Sequence, residues 1–255
     1  MKYTVIANSD IGNTMSINQD SLLIKHISYK GKEVLMTIIC DGMGGLSKGE
    51  LASSTIVHYF NRWFDSTIQS EIENLDFKVI AIKWKFILKD LNNRIQIYSN
   101  QKGIKMGSTF TGVLFVDEQF VIVHVGDTRV YFIDSEIHQL TEDHTVVAEE
   151  LRKGLISFDQ ADKDKRKHSL YQCIGASKNV HPQIYYGTSQ KGMYLLCSDG
   201  FRNTLSQEEL LTYFDENELS TKEDMKQRID CTFQIVKSRG ERDNISAILI
   251  KFDDC

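Results

Sequence analysis

Proline is almost absent from the sequence, Pro182 being the only one, and there is no serine- and glycine-rich stretch, low-complexity block or repeat of solenoid length. Nothing therefore divides the chain into modules, and residues 1–255 are expected to form one domain. No apolar run approaches the roughly 20 residues that cross a bilayer. The N-terminal MKYTVIANSD turns polar at Asn8, before a secretory leader could build its apolar core. A cytoplasmic address with no membrane partner is the expectation. Cys40, Cys173, Cys197, Cys231 and Cys255 are odd in number and make no C-x-x-C pair, which argues against a zinc knuckle or a dithiol site and for reduced thiols. A basic stripe is missing too. With 30 Lys and Arg against 35 Asp and Glu, and a pI near 5.8, the chain lacks the electrostatic footprint of a nucleic-acid partner.

What is present is a series of short runs rich in β-branched and aromatic residues, at 3–7, 22–28, 34–40, 109–116, 120–125, 130–133, 193–197 and 245–252. Many are almost continuously apolar, as in strands covered on both faces. Phe77, Ile80, Trp84, Ile87, Leu88, Leu91 and Ile95 recur at three- and four-residue steps and predict an amphipathic helix, read as covering its own sheet rather than binding a partner. Residues 51–64, 146–153, 207–214 and 224–238 are further helix candidates. Strands follow one another directly, with Asp117-Glu118 as a short turn, so antiparallel sheet with helices outside is expected rather than a βαβ alternation.

The informative pattern is where aspartate falls. Asp41 follows the run 34–40, Asp127 follows 120–125, Asp199 follows 193–197, Asp243 precedes 245–252 and Asp20 precedes 22–28. Any one Asp-Gly pair is more often a turn than a ligand. Carboxylates on five strand ends, however, could converge, and without a counter-charge they would repel until protonated. Oxygen ligands with no accompanying His or Cys suit Mg²⁺ or Mn²⁺. Two such ions can share a water and turn it into hydroxide at neutral pH, ready for in-line attack on phosphorus.

At SDIGNTMSINQDS from Ser9, CDGMGGLSKGELAS from Cys40, GSTFTGVLF from Gly107, VGDTRVY from Val125, LTEDHTVVAEELRKGLIS from Leu140, LLCSDGF from Leu195 and RDNISAILI from Arg242, the sequence resembles the bacterial type 2C metal-dependent protein phosphatases. The motifs come in the family's order and span nearly the whole chain. The resemblance implies an α+β fold: a four-layer α-β-β-α sandwich of two antiparallel sheets flanked by helices. It implies two Mn²⁺ or Mg²⁺ ions, bridged by Asp41 with the Gly42 carbonyl, Asp199 and Asp243 holding one of them, and Asp20 acting through water. Asp41, Asp199 and Asp243 would be the catalytic set, and Asp127 would help bind a third, weaker ion. Proteins carrying phosphoserine or phosphothreonine, placed there by a Ser/Thr kinase, are the implied substrates, and a monomer the implied state. Residues 157–180 correspond to a substrate-touching flap, expected to be the least ordered part.

Two departures stand out. Met15 occupies the place of the family's phosphate-binding arginine, and Asn18-Gln19-Asp20 stands for Asn-Glu-Asp, leaving Gln19 to accept from a metal-held water with one negative charge fewer. They sustain an alternative, a phosphatase-like module that binds a partner without turnover. Met43 has no proton to give a leaving group, and His144, beside Asp143, is read as a packing residue. Cys197 and Arg202 are one residue short of a C-x5-R loop, and Gly42 to Gly45 fails the spacing of nucleotide-binding loops.

Overall fold

The computed structural model describes residues 3–43 and 48–253, and its strands form two five-stranded antiparallel sheets. One joins β1 (Tyr3–Asp10), β10 (Ile245–Phe252), β9 (Gly192–Cys197), β6 (Arg129–Ile133) and β7 (Ile137–Gln139) in that order. The other joins β2 (Ser21–Tyr29), β3 (Lys32–Cys40), β4 (Phe110–Val116), β5 (Gln119–Val125) and β8 (Gln183–Thr188). The apolar runs are continuous because each strand has two covered faces. In β3, Val34, Met36, Ile38 and Cys40 face the helices α1 (Gly49–Glu73) and α2 (Phe77–Lys102), while Leu35 and Ile39 meet Ile248, Ile250 and Phe252 of β10 between the sheets. On the far side, Ala247 and Leu249 of β10 pack under α5 (Asp199–Arg202), α6 (Gln207–Tyr213) and α7 (Lys222–Ser238). Four layers result, as the resemblance implies.

α2 shows why the helical stripe stays on its own sheet. Asp76 caps it, accepting from the N–H groups of Lys78 (2.8 Å) and Val79 (3.3 Å), and Gly103 ends it at φ 62°. Ile80, Trp84, Leu88, Leu91 and Ile95 are buried, with the Trp84 ring against Phe60 and Trp63 and over Gly112, where a Cβ would stand 2.8 Å from the indole. Truncating such a tryptophan costs roughly 3–5 kcal/mol, more than any exposed partner contact is expected to return.

The structure extends or corrects several expectations. The candidate 51–64 is part of a helix reaching Glu73, because Phe64, Ile68 and Ile72 continue the four-residue spacing and Glu71 is neutralised by Lys83 at 2.7 Å. Thr109 lies outside β4. The edge strands β7 and β8 were not expected: one has three residues, and the other keeps much of its surface in solvent, so neither carries an apolar run. Between α3 (Val146–Arg152) and β8, the segment read as a flap holds only the six-residue α4 (Phe158–Lys163), started by a capping box at Ser157. Residues 44–47 of the glycine-rich stretch, and Cys255, lie outside the described residues.

Register decides where the acids go. Ser21 pairs with Cys40, Ile39 with Thr111, Phe110 with Val125, Arg129 with Cys197, and Cys197 with Ala247. The start of β2, the end of β3, the end of β5, the end of β9 and the start of β10 therefore share one end of the sandwich, and every one of the five aspartates sits there.

Candidate metal centre

The loops at this end are tied to one another by backbone hydrogen bonds. Asp41 leaves β3 with its N–H donated to the Thr109 hydroxyl and its carbonyl accepting from the Thr109 N–H, both at 2.8 Å. Gly42 donates its N–H to the Gln19 carbonyl at 3.1 Å and is so enclosed that a Cβ would stand 2.5 Å from the Gln19 and Gly49 carbonyl oxygens. Asn244 binds the 11–20 loop: its Oδ1 accepts from the Gln19 N–H at 2.9 Å, and its Nδ2 donates to the carbonyls of Ile11 and Ile17. Gly200 brings Asp199 up against Asp243, since a Cβ there would stand 2.2 Å from the Asn244 carbonyl oxygen and 3.3 Å from Asp243 Cβ. Asp127 spans the turn from β5 in one sheet to β6 in the other.

The electrostatics follow from this crowding. Burial, and then Asp20, Asp199, Asp127 and Asp243, push the Asp41 carboxyl well above its ordinary range. Asp20 rises to about 7 through burial and the charges of Asp199 and Asp243, despite the opposing effect of the nearby Ser246 and Ser198 hydroxyls. Asp127 also rises to about 7, through burial and Asp199, with Arg202 opposing. Burial and Asp199 raise Asp243. Burial disfavours the charged form of Asp199 as well, but His168, Arg202 and Asn203 outweigh it and hold that carboxyl below the usual range.

These groups need more positive charge than the chain supplies. Asp20 Oδ2 and Asp199 Oδ1 are buried oxygens without a hydrogen-bond partner. Arg202 stands nearest, its Nη2 donating to the Asp127 carbonyl at 3.0 Å and lying 3.9 Å from Asp127 Oδ2, but it is shared with Asp143 at 3.5 Å. Arg129 grips the same Asp143 through two N–H groups, at 2.8 and 2.6 Å. Buried acids around orphaned oxygens fit hard divalent cations held by oxygen.

Among the described residues, the group whose ligand atoms all lie within 4.8 Å of one another is Asp127, His168 and Asp199. Asp20, Asp41 and Asp243 do not form so tight a group, although the charges of Asp20 and Asp243 reach Asp41. His168 stands beside Asp127 and Asp199, a neighbour the sequence reading did not name. It lies in a polar loop, in the run DKDKRKH, with no strand or helix pattern to mark it, and only the fold brings it to the acids. Gln19 donates its Nε2 to Glu50 at 3.2 Å at the start of α1, and its backbone N–H is held by Asn244. His144 is a packing residue, its Nδ1 accepting from the Gly126 N–H at 3.0 Å and its ring against His124. Cys197 is buried in β9 with its thiol pushed up to about 12 by burial, which rules out a thiolate nucleophile.

Two sheets face to face, helices outside and carboxylates at one end define the class of α-β-β-α sandwich phosphatases. The chain belongs to the protein phosphatase 2C family, whose model matches residues 13–250. It is 30% identical over 224 residues to a serine/threonine phosphatase stp of Listeria monocytogenes, covering 86% of this chain and 84% of that protein. It is 26% identical over 250 residues to the protein phosphatase PhpP of Streptococcus pneumoniae, covering 96% of each. The structure of the S. agalactiae serine/threonine phosphatase superposes with a TM-score of 0.85 at 26% identity, over 99% of this chain and 100% of that one. The catalytic domain of the serine threonine protein phosphatase PstP, in complex with two manganese ions, superposes with a TM-score of 0.75 at 25% identity, over 99% of each chain.

Proposed function

We propose that the protein hydrolyses phosphoserine and phosphothreonine in other proteins, as a metal-dependent phosphatase built of one catalytic domain. The observation that carries this reading is the convergence of five aspartates on one end of the sandwich, Asp127 buried and the other four half-buried, with orphaned oxygens on Asp20 and Asp199. Asp41 and the Gly42 carbonyl would lie between two Mn²⁺ or Mg²⁺ ions, with Asp199 and Asp243 on one of them, Asp20 at longer range through water, and Asp127 on a third. When bound, such ions offset the carboxylates, polarise the phosphate ester and make a water acidic enough to attack phosphorus near neutral pH.

The chain's own part is placement. Thr109 fixes Asp41 at both ends of its backbone, Asn244 holds the loop that carries Asp20, and the Arg129–Asp143–Arg202 network holds Asp127. The substrates are those of a Ser/Thr kinase acting in the cytoplasm, and the protein works as a monomer. Manganese-dependent turnover of an aryl phosphate and a phosphothreonine peptide tests the reading. Asp41→Asn or Asp199→Asn should each lower kcat at least a hundredfold or so, the scale of losing one charge-stabilising group. Tight manganese binding with no turnover would make the protein a binding module instead.

A further inference from the structure

The third acid site has a nitrogen in it. His168 Nδ1 lies 3.6 Å from Asp199 Oδ2, and these two atoms and an Asp127 carboxylate oxygen all lie within 4.8 Å of one another. Neighbouring ligands of a six-coordinate ion with bonds near 2.1 Å stand about 3 Å apart, and opposite ones about 4 Å. The trio is thus within a fraction of an ångström of one coordination sphere. Asp127 is buried, and Asp199 Oδ1 is a second buried oxygen on the same group with no partner.

The backbone on either side of His168 is held in place, although its ring is half exposed. Ser169 donates its N–H to the Arg166 carbonyl at 2.7 Å and accepts from the Val146 N–H at 2.8 Å, and Tyr171 donates to the His144 carbonyl at 2.9 Å. Leu170 forms a β-bridge with Thr145. Three residues of the flap segment are thereby stitched to 144–146, directly after the Asp143 that steadies Arg202 and through it Asp127. The imidazole is delivered to the acids by fixed backbone, with no rearrangement needed to reach them.

We infer that His168 is an imidazole ligand from the flap, completing with Asp127 and Asp199 a mixed nitrogen and oxygen site for a divalent ion of the Mn²⁺ type. This rests on the metal-dependent reading above and adds to it a ligand and a selectivity. Imidazole favours transition-metal ions, whereas Mg²⁺ prefers oxygen and keeps its waters, so this position discriminates against Mg²⁺ while the all-oxygen positions need not.

Pulsed electron paramagnetic resonance of the full chain titrated with Mn²⁺ tests the assignment, since imidazole nitrogen modulates the echo of the ion it binds. Nitrogen modulation is expected in the wild type, absent in His168→Ala, and retained in His181→Ala, which changes an exposed histidine outside the cluster. Equilibrium dialysis should show the weakest Mn²⁺ step weakened at least about tenfold in His168→Ala, with the tighter steps kept. Manganese bound without nitrogen modulation, or modulation that survives His168→Ala, overturns the ligand assignment alone. Failure to bind manganese at all overturns the metal-dependent reading with it.

Discussion

Single residues at this centre act through their backbone as often as through their side chains. Gln19 is the clearest case: its N–H is held by Asn244, its carbonyl accepts from Gly42 and from the Ser53 hydroxyl, and its amide is committed to Glu50. The changed charge of the Asn18-Gln19-Asp20 triplet therefore falls beside α1, and the function of position 19 as a joint between loops is intact. Met15 is different. It is half-buried in the 11–20 loop, whose Gly12 is pressed against the Asp243 carbonyl, so a cation placed there would stand beside the acid end of the sandwich. Met15→Arg should lower the KM for a phosphopeptide by up to about tenfold, the worth of one charge-assisted contact, with kcat changed less. Steady-state kinetics on phosphothreonine peptide checks this, and an unchanged or raised KM would place the phosphate elsewhere.

At the level of elements, the site is a product of register and of glycines that let loops touch. A Cβ at Gly42 would meet two carbonyl oxygens at 2.5 Å, those of Gln19 and Gly49, so the β3 exit, the 11–20 loop and the start of α1 would have to part. Gly42→Ala is expected to cost about 1–3 kcal/mol and to weaken manganese binding, because Asp41 moves with its neighbour. Thermal melts with and without Mn²⁺ measure both effects. Asp76→Ala, which removes the α2 cap in an outer layer, should cost about 1 kcal/mol and leave manganese affinity unchanged. Equal effects of the two substitutions on metal affinity would break the link between the Gly42 contact and the centre.

This is also the level at which the sequence was most and least legible. The strands with two covered faces were legible because their apolar runs are unbroken, and the acids at their ends because a strand end is a local feature. The edge strands β7 and β8 were not, since a half-solvated edge has no such run. His168 and Arg202 were not read as part of the site, because their proximity to Asp127 arises from contacts between segments 41 and 75 residues apart along the chain. Composition and periodicity carry no record of such distances.

For the whole molecule, the central claim is that the fold stores repulsion at one end which cations relieve. In metal-free protein Asp20 and Asp127 hold their protons to about pH 7, whereas in the unfolded chain they would ionise near their ordinary range of about 4. Because the folded pKa values are raised, the stability these groups contribute is fully present below about pH 4 and is lost as pH rises to about 7. Chelated protein should accordingly lose more of its thermal stability at pH 8 than at pH 5.5 relative to the Mn²⁺-saturated form. Saturation at pH 8 should raise Tm by roughly 5–10 °C, the value for about a hundredfold excess over Kd in a chain of this size. The most direct measurement is an anomalous-scattering map from manganese-soaked crystals. Two strong peaks among Asp41, Asp199 and Asp243, with a weaker one at Asp127 and Asp199, are the predicted result; manganese bound elsewhere, with these carboxylates empty, would contradict the account.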